Sequence, residues 1–173
     1  MVHVNGFGGI MAKRRAAKVQ AKYTRGLSPS TAAKRKAAIR KRIKGAKKNR
    51  FAPLPGDARA KTRPSVHTQS LSRFRKAVSE RSAKSRAATT KGKFISSVSK
   101  ELKIPTSIIR QVYEKGEAAW AVGHRPGATQ SQWAKARVYS FIRKGGAVTK
   151  GPDGPLYTKA KKAQKAGAFF RLK

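Results

Sequence analysis

Residues 94–117 read FISSVSKELKIPTSIIRQVYEKGE, and their spacing decides the fold class. Phe94, Ile95, Val98 and Leu102 recur at the three- and four-residue steps of one helix face, and Pro105 interrupts the run. Ile108, Ile109, Val112 and Tyr113 begin a second stripe that continues to Ala119 and Trp120 and stops at Gly123. The pattern predicts two amphipathic helices joined by a short turn at residues 103–106. Upstream, Leu71, Phe74 and Val78 keep the same period. Downstream, Trp133, Val138, Phe141 and Ile142 do so until Gly145 and Gly146, and Thr129 followed by Gln132 fits a capping box. No segment alternates as a half-buried strand would. The fold class is mainly α, a small helical body carrying long basic extended or helical arms.

Charge divides the chain into three parts: an arm and linker over residues 1–62, a body over 63–156 and a basic tail over 157–173. Residues 1–50 hold sixteen Lys and Arg and no acid, the first being Asp57. Residues 11–23 and 28–44 have helix-forming composition, the second with Ser28 as N-cap, Pro29 at the first helical position and Gly45 beyond its end. Its apolar stripe is only Ala32, Ile39 and Ile43, so like-charge repulsion is expected to keep it frayed until phosphates bind. Residues 51–64, FAPLPGDARAKTRP, read as an extended linker that makes the arm separable from the body. The apolar ends, residues 2–10 and 169–172, are expected to dock into neighbouring subunits.

A net charge of +37 over 173 residues, with a pI near 11.8, cannot be neutralised internally and calls for a polyanionic partner. Nucleic acid bound without sequence specificity is the expected one. The candidate cations are Lys13, Arg14, Arg15, Lys18, Lys34, Arg35, Lys36, Arg40, Lys41, Arg42, Lys44, Lys47, Lys48 and Arg50, with Arg125 in the body.

Catalysis finds little to work with. His3, His67 and His124 fall in separate segments, cysteine is absent, and neither paired carboxylates nor metal-ligand spacing occurs. No enzyme, metal, cofactor or small-molecule substrate is expected, and no run approaches the roughly 20 apolar residues of a membrane span. The helix pair at 94–117 has the outline of a helix-turn-helix whose second helix would turn Ser107, Arg110 and Gln111 toward base edges, the alternative being plain helix packing. Residues 123–141, GHRPGATQSQWAKARVYSF, place Arg125 on a rigid loop beside a helix N-terminus, where a phosphate or carboxylate could sit. Alternatively, His124 and Arg125 bond helix-end carbonyls while Trp120 and Trp133 fill the core. Arg137 is expected to reach Glu114 or Glu117.

Residues 112–141, VYEKGEAAWAVGHRPGATQSQWAKARVYSF, resemble an uncharacterised domain family of large eukaryotic DNA viruses and some phages that carries a GHRPGATQxQWAxAR motif. RPSVHT at 63–68 is similar to the start of that domain, and YTRGLSPSTAAKRK at 23–36 is similar to a short basic module of the same viruses. Where the family often continues into a Gly-Gly-Lys stretch and an acidic end, residues 145–156 read GGAVTKGPDGPL. The resemblance implies viral origin and a small basic virion-type protein, without catalytic residues. The expectation is a minor structural protein of a large double-stranded DNA virus, made in the host cell and lying in the virion core or on the inner capsid face. Its arms would bridge capsid subunits, packaged genome or both. The alternatives are a DNA-condensing or helix-turn-helix protein and, third, a ribosomal protein.

Overall fold

The computed structural model describes residues 19–44, 51–58, 60, 62–84 and 90–172. Lys13, Arg14, Arg15, Lys18, Lys47, Lys48 and Arg50 lie outside the described residues, as do Gly45, residues 2–10 and most of the helix expected at 11–23. Among the described residues there are eight α-helices and no strand: α1 (Pro29–Ile43), α2 (Val66–Ser70), α3 (Ser72–Lys84), α4 (Thr90–Leu102), α5 (Thr106–Val122), α6 (Gln130–Ile142), α7 (Gly146–Thr149) and α8 (Gly154–Ala163). A 3-10 turn, Ala21–Tyr23, precedes α1. The mainly helical reading holds.

Local signals explain the boundaries. Ser28 Oγ accepts from Thr31 N with Pro29 opening α1, and the Thr129–Gln132 capping box forms with both of its bonds. Between α4 and α5, Lys103 takes a left-handed φ of 50°, and Ile104 N donates back to Ser99 O at 3.2 Å. That turn folds the Phe94 and Ile108 stripes onto one another, and Phe74 and Val78 of α3 close the core beneath them. The phenyl ring of Phe94 lies 5.9 Å from that of Tyr113 and 5.8 Å, edge-on, from that of Tyr139. The closest helix crossing is α5 on α6, where a Cβ added at Gly116 would fall 2.7 Å from Ala134 Cα. That contact sets the path of α6, and with it the loop before it.

Three expectations fail here. First, α1 is not bare of core contacts: Ile39 is buried against Gly123 at the end of α5, and Arg35 is wholly buried. Arg42 donates to Ala121 O and Ala52 O. Arg35 is therefore enclosed within the fold and not presented to a polyanion, while Arg42, partly exposed, spends two of its donors on backbone carbonyls. Second, residues 51–58 form a compact turn with Leu54 buried, where an extended linker was expected. Third, the C-terminal residues fold back on their own body. Gln164 Nε2 donates to Leu102 O and Phe170 O, Lys165 N to Lys103 O, and Phe169 N to Glu101 O, and Leu172 is buried. These donors serve the orphan carbonyls at the end of α4. Of the apolar residues at that end, Phe169 stays largely exposed while Phe170 is half-buried.

Candidate polyanion interface

Among the described residues five of the six acids are in ion pairs, which determines where positive charge is left over. Asp57 is the most connected. Its Oδ1 accepts from Arg35 Nη1 at 2.8 Å and from Gly127 N at 3.1 Å, and its Oδ2 lies 2.7 Å from Leu54 N and 2.8 Å from His124 Nε2. Arg35 also donates to Pro55 O and His124 O, while its buried Nε has no acceptor. His124 Nδ1 sits 3.0 Å from Trp120 O, and the Trp120 indole stacks on the imidazole at 4.2 Å and donates to Ala128 O. The GHRPGAT loop is thus fastened from three sides. Gly127 must be glycine, since at φ 71° a Cβ would fall 1.9 Å from Ala60 O.

Electrostatics follow from that burial. Burial and the positive charge of Arg35 lower the His124 pKa below the ordinary imidazole value of 6.5, against the opposing pull of the Trp120 carbonyl and the Asp57 carboxylate. Burial would raise Asp57, but hydrogen bonds from His124, Leu54 N and Arg35 bring it below its ordinary 3.8. Both groups bind a proton less readily folded than unfolded, so their stabilisation is complete above 6.5 and is lost as pH falls. The expected result is a fall in urea midpoint between about pH 7 and 5 as His124 titrates, with a further fall below the carboxylate range. A flat midpoint across the first interval would contradict the buried imidazole.

The fastened loop forms one wall of a groove of about 1400 Å³. Its other walls come from residues 62–65, the outer faces of α3 and α6, the start of α4 and the 3-10 turn. Among the described residues eight cations line it, Lys22, Arg63, Arg75, Lys76, Lys93, Arg125, Lys135 and Arg137, and no acid does. Arg137 does not reach Glu114 or Glu117. It forks onto buried Asp153 at 2.9 and 3.0 Å, tying α6 to the turn before α8, while Lys91 takes both glutamates. The other seven have no carboxylate within ion-pair distance among the described residues. Arg75 and Lys135 lie over the faces of Tyr139 and Phe94.

The predicted site residues separate into groups. Arg125 lines the groove and has no side-chain hydrogen-bond partner among the described residues, whereas the His124 ring turns its Nδ1 toward Trp120 O. Lys34, Lys36, Arg40, Lys41 and Lys44 are exposed on α1 and do not line the groove. Ser107, Arg110 and Gln111 do point outward from α5, but Glu114 shares that exposed face and none of the three lines the groove. Residues 107 and 125 are separated by most of α5, over 20 Å at about 1.5 Å per residue. Sequence reasoning missed Lys22, Arg63, Arg75, Lys76, Lys93 and Lys135, which come together only through packing. It also missed that Trp133 is half-buried on the groove wall beside Tyr23, instead of in the core.

The fold and the groove define a helical protein with an acid-free cationic cleft. A model described as a family of unknown function (DUF5824) matches residues 20–157, and the chain belongs to that family. No curated protein and no solved structure matches it. The matched region begins at the 3-10 turn and so includes α1, Asp57 and the groove.

Proposed function

We propose that this protein is a non-catalytic binder of nucleic-acid backbone, without sequence specificity. The observation that carries the reading is the seven groove cations that lack an internal carboxylate. Cations crowded in a cleft raise the local potential, and phosphates relieve it while releasing their counterions. Catalysis finds no support in His124 and Asp57, because both are closed off by Arg35, Trp120 and backbone partners.

The test is titration of duplexes of unrelated sequence between about 50 and 200 mM salt. Affinities should agree across sequences, and log K should fall against log salt with a slope of −3 or steeper, at roughly −0.9 per phosphate contacted. A shallower slope, or a strong preference for one sequence, would overturn the proposal.

A bridging role is supported by the second cationic surface. Lys34, Lys36, Arg40, Lys41 and Lys44 lie on the exposed face of α1 and outside the groove, so two polyanionic surfaces could be held at once. A minor structural protein in a virion, linking packaged genome to capsid subunits, would use that arrangement. Quantitative mass spectrometry of purified particles tests it: a fixed copy number per particle is the expected outcome, and absence from particles ends it.

A further inference from the structure

Backbone binding does not by itself say whether the occupant is paired or single-stranded, but the end of the groove does. Trp133 stands on the first turn of α6, half-buried, with its ring 6.0 Å from that of Tyr23 on the 3-10 turn. Its indole N–H has no partner among the described residues, unlike that of Trp120, which is spent on Ala128 O. A half-exposed tryptophan beside a half-buried tyrosine is a poor use of apolar surface unless something covers it.

Charge lies close to this aromatic pair. Lys22 Nζ is 5.1 Å from the centre of the Tyr23 ring, and Arg125 of the GHRPGAT loop lines the same groove, near enough to act on both Lys22 and Tyr23. Burial and then repulsion from Arg125 lower the Lys22 pKa, and burial raises that of Tyr23. Two cations thus crowd one aromatic surface with no acid between them. An anion flanked by a flat ring satisfies all four side chains, and a nucleotide in a single strand is such a group. A duplex keeps its base faces stacked inside and offers phosphates and groove edges, with no free ring face to stack on.

Building on the backbone-binding reading above, we propose that the groove takes single-stranded nucleic acid, with a base stacked on Trp133 against the edge formed by Tyr23, tilted 45° to it, and its flanking phosphates held by Lys22 and Arg125. The bound strand then runs between α3 and α6, over Arg75 and Lys135, toward the start of α4. Recognition is of a π-face and a phosphate spacing, so it is tolerant of sequence.

The experiment compares the full chain, by fluorescence anisotropy, on three probes: oligo(dT) of about 16 nucleotides, a duplex of equal phosphate number, and an abasic strand of equal length. The expected order is oligo(dT) tightest, with Trp133→Ala weakening it at least about tenfold while changing duplex and abasic binding less than about twofold. Trp133→Phe should restore most of the loss, which separates stacking from misfolding, and thermal melts of both variants check the fold. Oligo(dT) should quench tryptophan emission in the wild type and not in Trp133→Phe. Equal affinity for all three probes, or an equal loss on all three in Trp133→Ala, overturns the stacking proposal and leaves phosphate binding standing. Failure of all three probes to bind overturns both.

Discussion

Asp57→Ala should destabilise the protein by about 3–5 kcal/mol, the usual effect of removing one partner from a buried ion pair. The reason is what remains. Arg35, with no exposure, would keep a full charge among carbonyls, and Leu54 N, Gly127 N and His124 would each lose an acceptor. Water has little access to repair the loss. Asp57→Asn keeps the shape and one acceptor but not the charge, so it should fall between alanine and wild type. Urea denaturation measures both, and Arg35→Met combined with Asp57→Ala should lose less than the two single variants added together, because the stranded charge goes with its partner. A loss under about 1 kcal/mol for Asp57→Ala would show that the triad is incidental to the fold.

The helices of the body were legible because their signals are local. Stripes at 94–102 and 108–120, the Thr129–Gln132 box and the Ser28–Pro29 start depend on neighbours within one or two turns. The role of Trp133 was legible too, in principle. The buried face of α6 is Ala134, Val138, Tyr139, Phe141 and Ile142, and Trp133 and Arg137 stand off it, at the rim of the apolar face. Placing Trp133 on one stripe with Val138, Phe141 and Ile142 ignored that phase, in which Ala134 is the residue one turn before Val138. The groove itself could not be read, since Arg75, Arg125 and Lys135 come from three segments whose juxtaposition exists only after α5 and α6 cross at Gly116 and Ala134.

Charge misled most where it was counted by segment. Sixteen cations without an acid in residues 1–50 made α1 look like a solvated arm, yet one distant carboxylate is enough to anchor a helix when the rest of the contact is carbonyls. A signal was present. Asp57 is the first acid in the chain and sits in a proline-glycine turn, PLPGDA, where its side chain can bind backbone amides. A single acid so placed, with a buried-type Ile39 and Gly123 elsewhere, marks a docking point, but its partners lie 22 and 67 residues away.

Removal of residues 1–44 should therefore abolish cooperative unfolding of what remains, the reverse of the separable arm that the charge distribution predicts. The truncation takes away Arg35 and Ile39 together. Asp57 and His124 would be left facing each other without the guanidinium that neutralises the carboxylate and ties down Pro55 O and His124 O, and the end of α5 at Gly123 would lose its apolar cover. Each loss is of the size that unfolds a marginal domain: about 3–5 kcal/mol for the broken pair and about 2–5 for an emptied isoleucine site, against a total stability of about 5–15. The truncation also removes Lys22 and Tyr23 from the groove, and loosening of the GHRPGAT loop releases Arg125 from its wall, so polyanion affinity should fall by more than the lost exposed cations of α1 explain. Ala38→Pro checks the cause, since it breaks α1 at its centre while leaving every cation in the chain. Near-ultraviolet circular dichroism and urea melts of both proteins read the outcome. If the truncated chain keeps a sharp transition near the wild-type midpoint, or Ala38→Pro melts like the wild type, α1 is an appendage and the Arg35–Asp57–His124 contact does not hold the loop.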